Sequence, residues 1–265
     1  MLSSEPTPWR DELRESVRFF YDLQKLRIQT GLRAGNDKAV LSEIAVKRQS
    51  DRSGALSTLE KTELKAINKL IQAHPLYPWL KAQKGCGPTM SGVILSEIDI
   101  TRCGTISALW AYCGLSVGHD GTAPKRRKGC TKKDGTPGLA YNSMLRSKLV
   151  GVLADCMIKC NSPWREHYDN RKTRTRSKDW GKSDGHRNND AKRVMIKRFL
   201  QEMWKEWRTL EGLPVPPPYS ETYLGLHHGD HGQRKKDTHI VQASQQNQDA
   251  HQSPASQLKP VTQNT

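Results

Sequence analysis

The chain's 265 residues carry 43 Lys and Arg against 27 Asp and Glu, a formal net charge of +16 with a pI near 9.7. Only 35% of residues are hydrophobic and 6% aromatic, enough for one modest core plus polar segments and low for a tightly packed enzyme of this length. Residues 120–200 hold 21 Lys and Arg but 8 Asp and Glu, which is +13 of the +16, and charge concentrated this way favours a nucleic-acid partner over a merely solvated basic face.

Residues 1–18 lack the apolar stretch of a signal peptide. No run approaches the ~18 apolar residues of a membrane span, and no basic helix has a lipid-like apolar face. A cytoplasmic protein with no membrane partner is the expectation. The six cysteines (86, 103, 113, 130, 156 and 160) include no C-x-x-C pair, so no metal site is expected. Cys156 and Cys160, one helical turn apart, read as buried reduced thiols.

In chain order, residues 1–8 are a polar lead-in. From Trp9 to Gln29 the positions Leu13, Val17, Phe20, Leu23 (or Leu26) and Ile28 recur at helical spacing, and Thr30-Gly31 with Ala34-Gly35-Asn36 breaks the helix. Asp37 is the N-cap of a second helix to about Gln49, with Val40, Leu41, Ile44 and Ala45 inward. Ser50 to Gly54 forms a turn. Ser57 then caps a third helix ending at His74-Pro75, with Ser57-x-x-Glu60 as a capping box and Leu59, Leu64, Ile67, Leu70 and Ile71 as its stripe. These helices predict a hairpin or coiled-coil-like arm over residues 1–75, with an independent bundle as the alternative. Such an arm offers a surface for homo-oligomers.

Residues 76–212 predict an α-helical DNA-binding domain. Its first helix ends before Gly85, a Gly85-Cys-Gly87-Pro88 hairpin follows, and a second helix starts at Pro88, whose fixed φ suits a first helical turn. Both glycines can take the positive φ of a tight hairpin, and small Ser91 and Gly92 let the second helix lie against the first. The free N–H groups at that helix N-terminus attract phosphate, which marks Lys84, Gly85, Gly87 and Thr89 as nucleic-acid contacts in a helix-hairpin-helix. A turn built only for packing is the other reading.

Residues 106–115 predict a short apolar helix capped by Gly114. A Gly/Lys-rich connection supplies Lys125, Arg126, Arg127, Lys128, Lys132 and Lys133, and a helix from Asn142 carries Arg146. Between residues 171 and 178, basic residues (Arg171, Lys172, Arg174, Arg176) are interspersed with hydroxyl side chains, a pattern expected for a phosphate-tracking loop. Trp164 and Tyr168 are expected in the core, and His167 as a hydrogen-bonded helix residue. A last helix, 190–211, has Val194, Ile196, Phe199, Leu200, Met203, Trp204, Trp207 and Leu210 inward and Lys192, Arg193, Lys197, Arg198 and Lys205 on a basic face. Residues 213–265 are Pro-led, Gln/Ser/His-rich and charge-balanced, the composition of a disordered tail.

Gly-Cys-Gly-Pro, a Leu-x-x-Ile turn, Ala-Tyr-x-Gly-Leu, a basic glycine loop and Leu-Arg-x-x-Leu, in this order and spacing, resemble the C-terminal domain of the IS110/IS116/IS902 family of transposases over roughly residues 57–212. The resemblance implies a coiled-coil segment before the domain and a nuclease-like half with an acidic metal cluster before that. Residues 1–56 offer no β-rich run with aspartates at strand ends, so the chain resembles half a transposase. The family's serine nucleophile is implied in a Ser-Gly turn. Here that turn reads His119-Asp120-Gly121, placing Asp120 at the serine's position. A shifted alignment nominates Ser116, for which helix capping is the blander role, or Ser143.

The reading is therefore a mainly α protein that grips DNA by its backbone, largely without sequence specificity, and is linked to transposition or recombination. No cofactor is expected. The alternatives are a serine-dependent strand-transfer enzyme, for which Mg²⁺ would be needed, and an RNA-binding relative, which the family's guide RNA keeps open.

Overall fold

The computed structural model describes residues 8–36, 42–117, 140–177 and 183–217, with the isolated positions 135, 138 and 181. The chain divides into two units, Met1–Pro216 and Pro217–Thr265. All the described elements belong to the first. The second, past Pro217, lies outside the described residues, as do Asp37, Val40, Leu41, Trp180 and nearly all of the 118–139 connection. The expected tail disorder therefore falls outside them too.

The described residues are helical, with no strand among them. Helix α1 (Pro8–Asn36) and helix α2 (Glu43–Gln72) form a long antiparallel pair. Trp9 Nε1 donates to the Leu70 carbonyl at one end (3.0 Å), and Arg27 reaches Glu60 farther along. Leu13, Val17, Phe20 and Leu23 face inward as expected, whereas Leu26 and Ile28 are exposed. Two expected breaks do not occur. α1 continues through Thr30-Gly31, where the Thr30 hydroxyl donates back to the Leu26 carbonyl (2.8 Å). α2 runs from its Ser42 N-cap through Ser50–Gly54 without interruption. Ser57 and Glu60 therefore make no capping box. Glu60 crosses to α1 and accepts from Arg27 and Gln24, which holds its carboxyl below its usual range through the Arg27 hydrogen bond. Ile44 and Leu59, expected inward, are exposed.

The short helices follow: α3 (Tyr77–Ala82), α4 (Pro88–Glu97), a 3-10 turn (Ile100–Arg102) and α5 (Ile106–Tyr112). A continuous helical stretch comes next, made of α6 (Ser143–Lys148), a π-helical turn (Leu149–Leu153) and α7 (Ala154–Lys159). Asn142 caps α6 by accepting from the Leu145 amide. Two long helices close the unit, α8 (Arg165–Ser177) and α9 (Asp184–Leu210), the latter capped by Ser183.

α4 is the centre. It is buried from Met90 to Glu97, and Gly92 faces the α1–α2 pair, where an added Cβ would sit 3.0 Å from both Val17 and Ile67. Gly92 thus serves contact with the arm rather than the expected contact with α3, while the Ser91 hydroxyl lies against Cys86 of the hairpin (3.7 Å). α9 supplies the other wall. Trp204 Nε1 donates to the Cys103 carbonyl (2.8 Å), Arg208 donates to the carbonyls of Ile100 and Cys103, and Phe199 packs against Trp79 and Trp164. Leu210 is exposed, contrary to expectation. Cys156 is half-buried and Cys160 exposed, so only part of the expected thiol burial holds.

Candidate nucleic-acid interface

The α3–α4 hairpin is set by two glycines doing different jobs. Gly85 has φ +92°, and a Cβ there would lie 2.8 Å from the Met157 amide nitrogen. The chain must therefore turn through a left-handed conformation while touching the α7 backbone, which only glycine does without strain. Gly87 is different from the expectation. Its φ of −76° and ψ of 175° suit any residue, and a Cβ there would meet nothing within 4 Å. It is the N-cap of α4, without a side-chain cap, and Pro88 takes the first helical position.

The first paired amide of α4 is Ser91, which donates to the Gly87 carbonyl (3.0 Å). The amides of Thr89 and Met90 thus belong to the unpaired first turn common to helices. Gly87 and Pro88 are exposed and Thr89 half-buried, so α4 meets solvent only at this end. Lys84 is exposed beside it. Behind the hairpin, Gln83 accepts from Trp164 Nε1 (2.9 Å) and donates to the Trp79 carbonyl (3.1 Å), tying the hairpin to the turn that leads into α8.

The α5–α6 junction is a second fixed point. The Leu115 amide donates to the Trp110 carbonyl (2.8 Å) and the Gly114 amide to the Ala111 carbonyl (3.0 Å), closing α5 with Gly114 at φ +67°. Tyr141 and the Arg146 stem cover this turn so closely that a Cβ on Gly114 would lie 2.6 Å from Tyr141 and 2.9 Å from Arg146. The Arg146 guanidinium lies 5.2 Å from the Tyr141 ring centre. Ser116 is half-buried in the segment after the turn, and the described helix caps here are Thr105 and Asn142, not Ser116. Ser143 is exposed in the first turn of α6. Asp120, Lys125, Arg126, Arg127, Lys128, Lys132 and Lys133 lie outside the described residues.

The basic stretch expected as a loop is helix α8. Thr175 and Tyr168 are buried on its inner side, which gives the alternating sequence a packed face after all. Arg171 pairs with Asp190 of α9 and Lys172 donates to the Tyr168 hydroxyl (3.1 Å), so both help hold α8 in place. Arg174 and Arg176 are exposed. Trp164 is half-buried against Phe199, and partial desolvation pushes the exposed His167 imidazole below its usual pKa, helped by Arg198. The Gln83–Trp164 bond links the hairpin to the start of α8, whereas Arg146 stands apart at the end of α5.

One group escaped the sequence reading. Glu97, buried at the C-terminal end of α4, accepts from Asn142 (2.6 Å) and faces Arg14 (3.7 Å) and Arg18 (3.6 Å), while its backbone carbonyl accepts from the Tyr112 hydroxyl (2.7 Å). A cationic i, i+4 ladder on α1 (Arg10, Arg14, Arg18) was its only sequence signal.

Residues 78–169 match the Transposase IS116/IS110/IS902 family. This stretch is similar to the transposase domain of that family. The match starts in α3 and ends in α8, so it takes in the hairpin, the α5–α6 junction and Ser116, while α1, α2 and α9 lie outside it. It is narrower than the 57–212 span of the expected resemblance. No curated protein and no solved structure matched the chain. Among the described residues no helix is long and apolar enough to cross a membrane.

Proposed function

We propose that the chain is a transposition-related DNA-binding protein that holds the phosphate backbone at the α3–α4 hairpin and along its basic surface, largely without reading sequence. One observation carries the reading: α4 is buried except at its N-terminus, where Gly87 leaves the first-turn amides uncapped and exposed Lys84 stands alongside. Unpaired amides, the positive end of a helix dipole and a nearby cation together favour an anion. The transposase domain supports DNA as the polymer that carries it, and the exposed Arg174 and Arg176 extend the contact. RNA offers the same phosphodiester chemistry and is the comparison to run.

The second reading, serine-dependent strand transfer, is favoured by Ser116 following directly on the rigid Gly114 turn within the matched domain. A hydroxyl attacking a phosphodiester needs deprotonation and cations around the transition state, for which Arg146 and Mg²⁺ are the sources.

The test is anisotropy binding to duplex, single-stranded and four-way-junction DNA, and to RNA of the same length. With about 5–8 phosphate contacts, log affinity falls against log salt with a slope of roughly −4 to −7. Scrambling the sequence leaves affinity unchanged. A slope near zero contradicts the reading.

A further inference from the structure

Helix α9 brings two cations to the α5–α6 junction, beyond the hairpin and beyond the matched domain. Arg193 and Lys197 are one turn apart and half-buried, and Arg146 of α6, which covers the Gly114 turn at the end of α5, is close enough to Arg193 to act on its charge. The Lys197 ammonium sits 4.5 Å from the centre of the Trp110 ring, and Trp110 Nε1 in turn donates to the Lys197 backbone carbonyl (3.2 Å). Trp110 and Tyr141 thus hold the Lys197 and Arg146 charges over aromatic faces, fixing them in place.

Among the described residues neither Arg193 nor Lys197 has an ion-pair partner, because the nearby carboxylates are engaged elsewhere: Asp190 holds Arg171 and Asp155 holds Lys192. Burial, then Arg146, lowers the Arg193 pKa, against the pull of Asp190. Burial, then Arg193 and Arg198, lowers that of Lys197. The cations repel one another in a partly desolvated place, and a protein that folds this way carries repulsion that an anion would relieve.

We propose that Arg146, Arg193 and Lys197 form a second anion site, taking one or two phosphodiester groups of a nucleic-acid strand at the α5–α6–α9 junction. This extends the nucleic-acid reading, yet the repulsion supplies a signature that a merely structural cluster lacks. Removing positive charge there should stabilise the free protein and weaken the bound state.

The experiment compares the full chain with its Arg193→Gln/Lys197→Gln variant, and with Lys197→Met, which keeps the stem that covers Trp110. Without added anion, the variants should melt at or above the wild type, by about 2–4 °C for the double change. Inorganic tripolyphosphate should raise the wild-type melting temperature and lose most of that effect in the double variant. On DNA and on RNA, the double variant should bind roughly tenfold more weakly, with the salt slope shallower by about 2, and the polymer showing the larger loss is the source of the phosphate. Lower melting temperatures for both variants with an undiminished tripolyphosphate shift would make the cluster structural and overturn the proposal. Wild-type DNA binding that persists unchanged in the double variant would overturn it too, while leaving the hairpin reading intact. If the wild type binds neither polymer, the hairpin reading fails, and an undiminished tripolyphosphate shift in the variant then overturns this one as well.

Discussion

Gly85 stands so close to Met157 that a single added methyl would lie 2.8 Å from the Met157 amide nitrogen. The hairpin is therefore docked on α7 as well as turned, and packing alone explains one of its two glycines. Gly85→Ala should destabilise the protein by about 2–4 kcal/mol, from left-handed backbone strain plus a clash with backbone that cannot rotate away. Urea denaturation measures it, and a change under about 0.5 kcal/mol would contradict the docking. A loss of DNA binding in a Gly85 variant would by itself say nothing about phosphate.

Glu97 should be a stability residue. Glu97→Ala removes the acceptor of Asn142 and the carboxylate facing Arg14 and Arg18. Arg14 keeps Asp11 and the Ser96 carbonyl, and Asn142 keeps the Tyr112 hydroxyl, so losing these contacts at a buried helix end should cost about 1–2 kcal/mol. Double-mutant cycles with Arg14→Ala should show coupling, and strict additivity would mean that Glu97 and Arg14 do not interact.

His74 gives the fold a pH dependence. It stacks on Trp9 and meets the edge of Trp207, both at 5.2 Å, and accepts from the Leu76 amide through Nδ1. Burial, with Arg10 nearby, pushes its pKa down from 6.5 to about 4. The unfolded chain then binds the proton more readily than the folded one, so stability is present above pH 6.5 and is lost as pH falls toward 4. The loss should be about 2 kcal/mol for this partly exposed ring. His74→Gln should flatten that window relative to the wild type, and identical pH profiles would rule out the assignment.

The short elements were legible because their signals are local. Pro88 marks the start of α4, Asn142 the start of α6 and Gly114 the end of α5, and each works through its own φ or side chain. The arm was misread where tertiary contact outweighs propensity. A mid-helix glycine costs about 1 kcal/mol, and Gly31 and Gly54 sit in long helices held by Leu23, Ile67, Ile71 and the Arg27–Glu60 pair. Arg171 to Ser177 read as a loop because its composition is polar, but the buried Tyr168 and Thr175 with the Arg171–Asp190 pair dock it on α9. Both partners of that pair are in the sequence, but their 19-residue separation carries no periodic signal. Gly87 was misjudged since Gly-x-Gly does not say which glycine needs the unusual angle.

Covalent chemistry is predicted to be absent from the isolated chain. Asp120 is placed by the family resemblance where a serine is expected, and its negative charge there would oppose an incoming phosphodiester backbone. Junction DNA incubated with Mg²⁺ or Mn²⁺ should give no protein–DNA adduct. An adduct lost in Ser116→Ala and kept in Asp120→Asn would reverse this and name the nucleophile.

The most direct measurement is on Gly87→Asp. The backbone there already has N-cap geometry, and an aspartate would accept from the first-turn amides of α4 while adding a negative charge where phosphate is proposed to sit. Gly87→Asp should melt at or above the wild-type temperature and bind DNA at least tenfold more weakly at constant salt. Unchanged affinity in a folded Gly87→Asp protein would contradict the phosphate reading.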